Sequence, residues 1–172
     1  MADLPSMNTA IKLLLVEDEP DLRDILSEEL GALNFEIVTA KSGKDGLSMI
    51  QSDSAIAAVI SDIKMPEMSG IEFLQKTRSL GVEVPFVFLT GFADKMILTE
   101  ALQLGAIDCL DKPYKPDALL SSVREALRFG VTLKGIRSEY DRLFEKYEIT
   151  PEDQKKIRDL QTRVFEARFG SK

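Results

Sequence analysis

Residues 55–66 read AIAAVISDIKMP: a run, Ala55–Ser61, apolar without a break through Ile60, that stops at Asp62 and breaks at Pro66. A run with no polar alternation is buried on both faces, as an inner strand of a parallel sheet must be. Asp62 is then a carboxylate at the point where burial ends. Upstream, Ile11–Val16 is a second such run, aliphatic but for Lys12. Pro20 follows at a first helical position, ahead of the stripe Leu22, Ile25, Leu26, Leu30 and Leu33, with Gly31 near the helix end. Phe35–Ala40 reads as a strand and Asp45–Gln51 as a short helix. Downstream, Ser69 caps a helix through Arg78 and Pro85–Thr90 is a fourth strand. Asp94–Leu104 is helical, Ile107–Asp111 is a fifth strand and Pro116–Arg128 a fifth helix.

Five strand–helix units in strict alternation specify an α/β protein, a doubly wound parallel sheet with helices on both faces. Right-handed crossovers make the flavodoxin-like order 2-1-3-4-5 the economical one. In that order the chain reverses direction between the first and third strands, and a crevice opens at their carboxyl ends. The expected organisation is an arm at 1–10, the α/β domain at 11–129 and a helical extension at 130–172.

Composition agrees with a packed core, at 44% apolar and 30% charged residues. The net charge of −7 argues against non-specific binding to nucleic acid or anionic membrane. Residues 1–129 hold 12 Lys+Arg against 21 Asp+Glu, whereas residues 130–172 hold 10 against 8, a compositional break near Gly130. Cys109 is the single cysteine, so no intrachain disulfide forms. No apolar run approaches the ~18–20 residues of a membrane span, and no secretory signal opens the chain. A cytoplasmic protein is expected.

At the strand ends stand Glu17-Asp18, then Asp62, then Thr90-Gly91, then Asp111-Lys112-Pro113. Each alone is unremarkable: a cap, a solvated turn, a surface charge. Together they converge three acids, a hydroxyl and a lysine on one rim. Clustered carboxylates repel unless a hard cation sits among them, and Mg²⁺ prefers an octahedral oxygen shell. Asp18 and Asp62 are the expected direct ligands, Glu17 acts through water, and the Lys64 carbonyl supplies another oxygen. The free oxygen of Asp62 is a nucleophile for phosphoryl transfer. Mg²⁺ and the Lys112 ammonium offset phosphoryl charge, and the Thr90 hydroxyl donates a hydrogen bond.

With Leu13–Pro20 (LLLVEDEP), Ile60–Gly70 (ISDIKMPEMSG), Phe88–Gly91 (FLTG) and Leu110–Tyr114 (LDKPY), residues 11–129 resemble the response-regulator receiver domain of two-component signalling. The resemblance implies that Glu17 and Asp18 are the acidic pair and Asp62 the phosphoacceptor. It implies that Thr90 is the switch hydroxyl and Lys112 the conserved lysine, followed by a cis peptide to Pro113. It also implies a histidine kinase or phosphotransfer protein as phosphodonor, and a switch rather than a turnover enzyme. Two departures stand out. Cys109 occupies the position of the aromatic rotamer switch of many receivers. Lys64 and Phe92 occupy the two positions that influence how readily water attacks the phosphoaspartate. The rival readings are a phosphorylation-independent adaptor and a haloacid-dehalogenase-like phosphohydrolase, which would need an acid where Lys64 stands.

Beyond Arg128, Leu133, Ile136, Tyr140, Leu143 and Tyr147 follow a 3-4-3-4 spacing, a heptad seam. Thr150-Pro151-Glu152-Asp153 is a helix start, ahead of the stripe Ile157, Leu160, Val164 and Ala167. A helical hairpin or coiled coil over 130–172, serving self-association or docking of a partner protein, is expected.

Overall fold

The computed structural model describes residues 11–33, 35–91, 95–146, 150–153, 155–156 and 159. The arm at 1–10, Phe92, Asp94, Tyr147 and the stripe at Ile157, Leu160, Val164 and Ala167 lie outside the described residues. Strands are β1 (Lys12–Val16), β2 (Glu36–Ala40), β3 (Ile56–Asp62), β4 (Phe86–Thr90) and β5 (Asp108–Asp111). Helices are α1 (Pro20–Leu30, followed by a 3₁₀ turn Gly31–Leu33), α2 (Gly43–Ser52), α3 (Gly70–Ser79), α4 (Lys95–Gln103) and α5 (Pro116–Lys146). All strand pairs are parallel, in the order β2-β1-β3-β4-β5 expected from the sequence.

The continuous apolar runs are explained by two cores, one on each face of the sheet. Leu14 and Val16 join Val59, Phe86 and Phe88 in the core that includes Phe73 and Leu74 of α3. Leu13 and Leu15 join Ile60, Val87 and Leu89 against Leu26 and Leu30 of α1 and Leu119, Val123, Ala126 and Leu127 of α5. Phe73 meets Phe86 edge-on at 5.0 Å between ring centres, an arrangement worth about 0.5–1.5 kcal/mol beyond burial. Alternation along β3 is interrupted: Lys12 pairs with Ile56 but Leu13 with Ala58, so Ala57 is the extra residue of a bulge.

Local signals fix the helix starts. Pro20 opens α1. The Ser42 hydroxyl accepts from the Asp45 amide at 3.1 Å to cap α2. Ser69 and Glu72 form a reciprocal capping box on α3.

Two expectations need correction. Ile25, read as part of the α1 core stripe, is 60% exposed. It neighbours the fully buried Leu26, and a helix turns by about 100° between successive residues, so only one of the two reaches the sheet. Secondly, α5 does not end at Arg128 but runs to Lys146. Gly130 lies inside this helix, buried at a point of close approach where a Cβ would overlap the Ala57 carbonyl oxygen.

The chain divides into two compact units, Met1–Leu133 and Lys134–Lys172. In the second, Arg142 pairs with Glu139 at 3.6 Å and Lys156 with Glu152 at 3.3 Å. The Thr150 hydroxyl accepts from the Asp153 amide at 3.2 Å, the cap that its sequence predicts.

Candidate functional site

Register places the rim. Val16 lies opposite Ser61, so Glu17 and Asp62 emerge side by side. Asp62 lies opposite Leu89, and Thr90 opposite Asp111, which brings Thr90 and Lys112 onto the same edge. Glu17, Asp62 and Thr90 stand at the ends of strands buried on both faces, and Lys112 follows the partly buried β5. A slip of one residue would turn each core side chain to the wrong face, so the core itself holds the site in register.

Glu17 is the most buried acid, 2% exposed. Its Oε1 accepts from the Glu19 amide at 3.3 Å and its Oε2 pairs with Lys112 Nζ at 3.2 Å. Burial raises its pKa, and the Lys112 charge opposes that rise. Arg23 donates to the Glu17 carbonyl at 2.7 Å, tying α1 to the rim. Asp18 is half-buried beside it. One carboxylate oxygen each from Glu17, Asp18 and Asp62 lies within 4.8 Å of the others.

Asp62 is held at both oxygens. Its Oδ1 accepts from the Ile63 amide at 2.6 Å and the Lys64 amide at 3.3 Å, and its Oδ2 pairs with Lys112 Nζ at 3.1 Å. The loop after it closes tightly. The Ile63 amide donates to the Leu89 carbonyl at 3.2 Å and the Gly70 amide to the Ile63 carbonyl at 2.9 Å. A Cβ at Gly70 would overlap the Asp62 carbonyl oxygen, so glycine is required there. Lys112 donates its own amide to the Thr90 carbonyl at 2.7 Å, and the Lys112–Pro113 bond is cis, as the resemblance implied. Burial alone would lower the Lys112 pKa, but the charges of Asp62 and Glu17 outweigh it and the pKa is raised. Thr90 is buried at the end of β4.

The arrangement brings Glu17, Asp18, Asp62 and Lys112 together, with Thr90 at the adjoining strand end. Lys64 is exposed and lines, with Asp18, Ile63, Ile71 and Ile97, a cleft of about 700 Å³. Cys109 is half-buried against the core that contains Phe88, with its thiol pushed up to about 11, chiefly by burial. The donor set fits a hard dication. It is all oxygen, and one ammonium against three carboxylates leaves negative charge to neutralise. Arg23 and Gly70 were not foreseen as site residues. Both act through main-chain carbonyls, and such partners leave no pattern of side chains to recognise.

Fold and rim together define a flavodoxin-like α/β domain with an acidic site at its topological switch point. The chain belongs to the response regulator receiver domain family, whose model matches residues 13–124. The C4-dicarboxylate transport transcriptional regulatory protein DctD of Pseudomonas aeruginosa is 32% identical over 127 residues, 74% of this chain and 27% of that protein. The regulatory protein AtoC of Escherichia coli is 36% identical over 130 residues, 75% of this chain and 28% of that protein. The chain thus spans about a quarter of the length of these curated relatives. Among solved structures, a receiver domain protein from Clostridium thermocellum is similar with TM-score 0.67 and 27% identity, covering 72% of this chain and 98% of that one. The chemotaxis response regulator CheY4 of Vibrio cholerae has TM-score 0.61 and 31% identity, covering 69% and 100%. The family is a signalling switch of two-component systems rather than a turnover enzyme. Among the described residues no helix is long and apolar enough to cross a membrane.

Proposed function

We propose that Asp62 accepts a phosphoryl group from a histidine kinase or phosphotransfer protein, with Mg²⁺ held at the acidic rim. The observation that carries this reading is the Asp62 carboxylate itself. It is fixed by two amides and by Lys112 at 3.1 Å, with Glu17 and Asp18 oxygens within 4.8 Å. Asp18 and Asp62 would hold the ion directly, Glu17 through water, and the Lys64 carbonyl would complete the protein's share. When bound, Mg²⁺ supplies positive charge against the phosphoryl oxygens. An Asp62 oxygen forms the new bond to phosphorus, and the bond from phosphorus to the donor imidazole nitrogen breaks, its electron pair returning to that nitrogen. The Lys112 ammonium and the Thr90 hydroxyl stabilise charge on the transferring group. Little covalent help is needed beyond this positioning.

The output we propose is self-association or docking of a partner protein through residues 130–172. Ile136, on the expected heptad seam, is 50% exposed and supports a seam along that helix. Light scattering of wild type and Ile136→Glu, with and without phosphodonor, tests it: equal masses in all four samples would leave self-association without support.

The test of the site is intact mass after incubation with acetyl phosphate and Mg²⁺. Wild type should gain one phosphoryl group; Asp62→Asn, or wild type with chelator, should gain none. Incorporation by the Asn variant would displace Asp62 as acceptor, and no incorporation by either would favour a phosphorylation-independent adaptor.

A further inference from the structure

Three residues carry the chain from β1 into α1, and the middle one is Asp18. Among the described residues the Asp18 carboxylate takes part in no hydrogen bond or ion pair. Its direction is therefore set by the two peptide planes that meet at its Cα, and each plane is held. The plane before it carries the Glu17 carbonyl, which accepts from Arg23 Nη1 at 2.7 Å. The plane after it carries the Glu19 amide, which donates to Glu17 Oε1 at 3.3 Å. A peptide unit is rigid, so gripping its carbonyl also fixes the amide end that leads into Asp18.

Arg23 is well placed for the reach. Pro20 opens α1, so Arg23 is its fourth residue, and helical side chains lean toward the N-terminus. The main-chain amide of Arg23 donates to the Glu19 carbonyl at 2.9 Å. One residue is thus joined to both neighbours of Asp18, to Glu17 by its side chain and to Glu19 by its backbone. The Glu17 amide in turn donates to the Ala40 carbonyl of β2 at 3.2 Å, which ties the grip to the sheet. Glu19, at the capping position of α1, makes no side-chain capping hydrogen bond. The joint between strand and helix is made by the guanidinium instead.

We propose that Arg23 is a positioning residue for the acidic rim: by gripping the Glu17 carbonyl it sets the direction of the Asp18 carboxylate, and with it the preference of the rim for Mg²⁺ over a larger dication. The inference rests on the Mg²⁺ reading proposed above. Its physical basis is the difference between two ions. Mg²⁺ demands near-octahedral oxygens at about 2.0–2.1 Å, whereas Ca²⁺ accepts oxygens at about 2.3–2.6 Å in a flexible shell. A carboxylate free to swing penalises the first ion more than the second. Charge alone predicts the opposite sign for removal of Arg23. Taking a cation away from a rim of three carboxylates would strengthen the binding of any dication. A fall in Mg²⁺ affinity is therefore the mark of lost geometry.

The experiment is thermal unfolding of the full chain titrated with Mg²⁺ and, separately, with Ca²⁺, from which the affinity for each ion follows by linkage. Wild type is compared with Arg23→Lys and Arg23→Met, and urea unfolding in chelator records stability without either ion. Arg23→Met should bind Mg²⁺ about ten- to a hundredfold more weakly, the usual effect of removing a group that orients a ligand, and the fall for Ca²⁺ should be smaller. Arg23→Lys, which keeps a donor and the charge, should recover part of the Mg²⁺ affinity. Mg²⁺ affinity unchanged or increased in Arg23→Met would overturn the positioning role, as would equal losses for the two ions. Lower stability in chelator with an unaltered ratio of Mg²⁺ to Ca²⁺ affinity would make Arg23 a structural residue only and overturn it too. If Arg23→Met does not fold, Arg23→Lys decides: a ratio shifted toward Ca²⁺ supports the proposal and an unaltered ratio overturns it. A wild type whose midpoint ignores Mg²⁺ would overturn the proposed Mg²⁺ site and this inference with it. A responsive wild type with equally responsive variants overturns the inference alone.

Discussion

Replacing Lys112 by Met removes the ammonium while keeping most of the stem, and its cost can be worked from the rim. Lys112 Nζ stands 3.2 Å from Glu17 and 3.1 Å from Asp62, whose side chains are 2% and 14% exposed. Breaking a fully buried pair costs about 3–5 kcal/mol. Asp62 retains some water, and the variant no longer desolvates an ammonium, so about 2 kcal/mol is expected at pH 8 without divalent cation. The pH dependence has a definite sign. Burial already raises the Glu17 pKa, so its contribution to stability is full below the unfolded carboxylate value and lost as pH rises through the folded one. Lys112 restrains that loss. Its own raised pKa keeps its contribution full below 10.5, so pH 8 lies inside its window. The deficit of the variant should therefore be largest at pH 8 and shrink at pH 5, where Glu17 can take up a proton. Urea unfolding of both proteins in chelator at the two pH values measures it, with the slope expected to stay constant. Equal midpoints at pH 8, or a larger deficit at pH 5, would refute the reasoning.

Asp18→Asn should stabilise the protein in chelator by about 1 kcal/mol, since it removes one of three mutually repelling carboxylates; it should also abolish the rise in thermal midpoint on adding Mg²⁺, and a fall in chelator would count against the repulsion. Gly130→Ala should destabilise by about 1–3 kcal/mol through overlap with the Ala57 carbonyl. Gly135→Ala, with open space around it, should stabilise by up to about 1 kcal/mol, so opposite shifts in thermal midpoint are expected from the same substitution on one helix. Cys109, its thiol pushed up to about 11, should react with a disulfide reagent at pH 7.5 about a hundredfold more slowly than a thiol of ordinary pKa, and at the ordinary rate in urea.

The sheet order was legible because burial on both faces leaves a one-dimensional trace: runs such as Ile11–Val16 and Ala55–Ser61 have no polar alternation. The rim was legible for a related reason. Its acids, hydroxyl and lysine stand at or just past the ends of the strand runs. What escaped was whatever depends on close approach between segments far apart in the chain. Gly130 gave no sign of its packing role, which is the close passage of α5 against the bulge at Ala57. Ile25 fitted a helical stripe on spacing alone and is turned out by its neighbour Leu26. Arg78, whose hydrogen-bond partners are main-chain carbonyls, gave no signal, because any residue can contribute one.

The loop from Ile63 to Gly70 has its two ends stapled, one to Leu89 and the other back onto Ile63 itself. Such a ring isolates its crown from its base. At the crown sits Glu67, exposed and with φ 64°, already in the left-handed region that asparagine or glycine would accept more readily. A dye or a short peptide grafted at that position would be anchored a few residues from Asp62, yet separated from it by the staple. The domain thereby offers a reporter site: a place to observe the chemistry of the rim from nearby without pulling on the carboxylate that performs it.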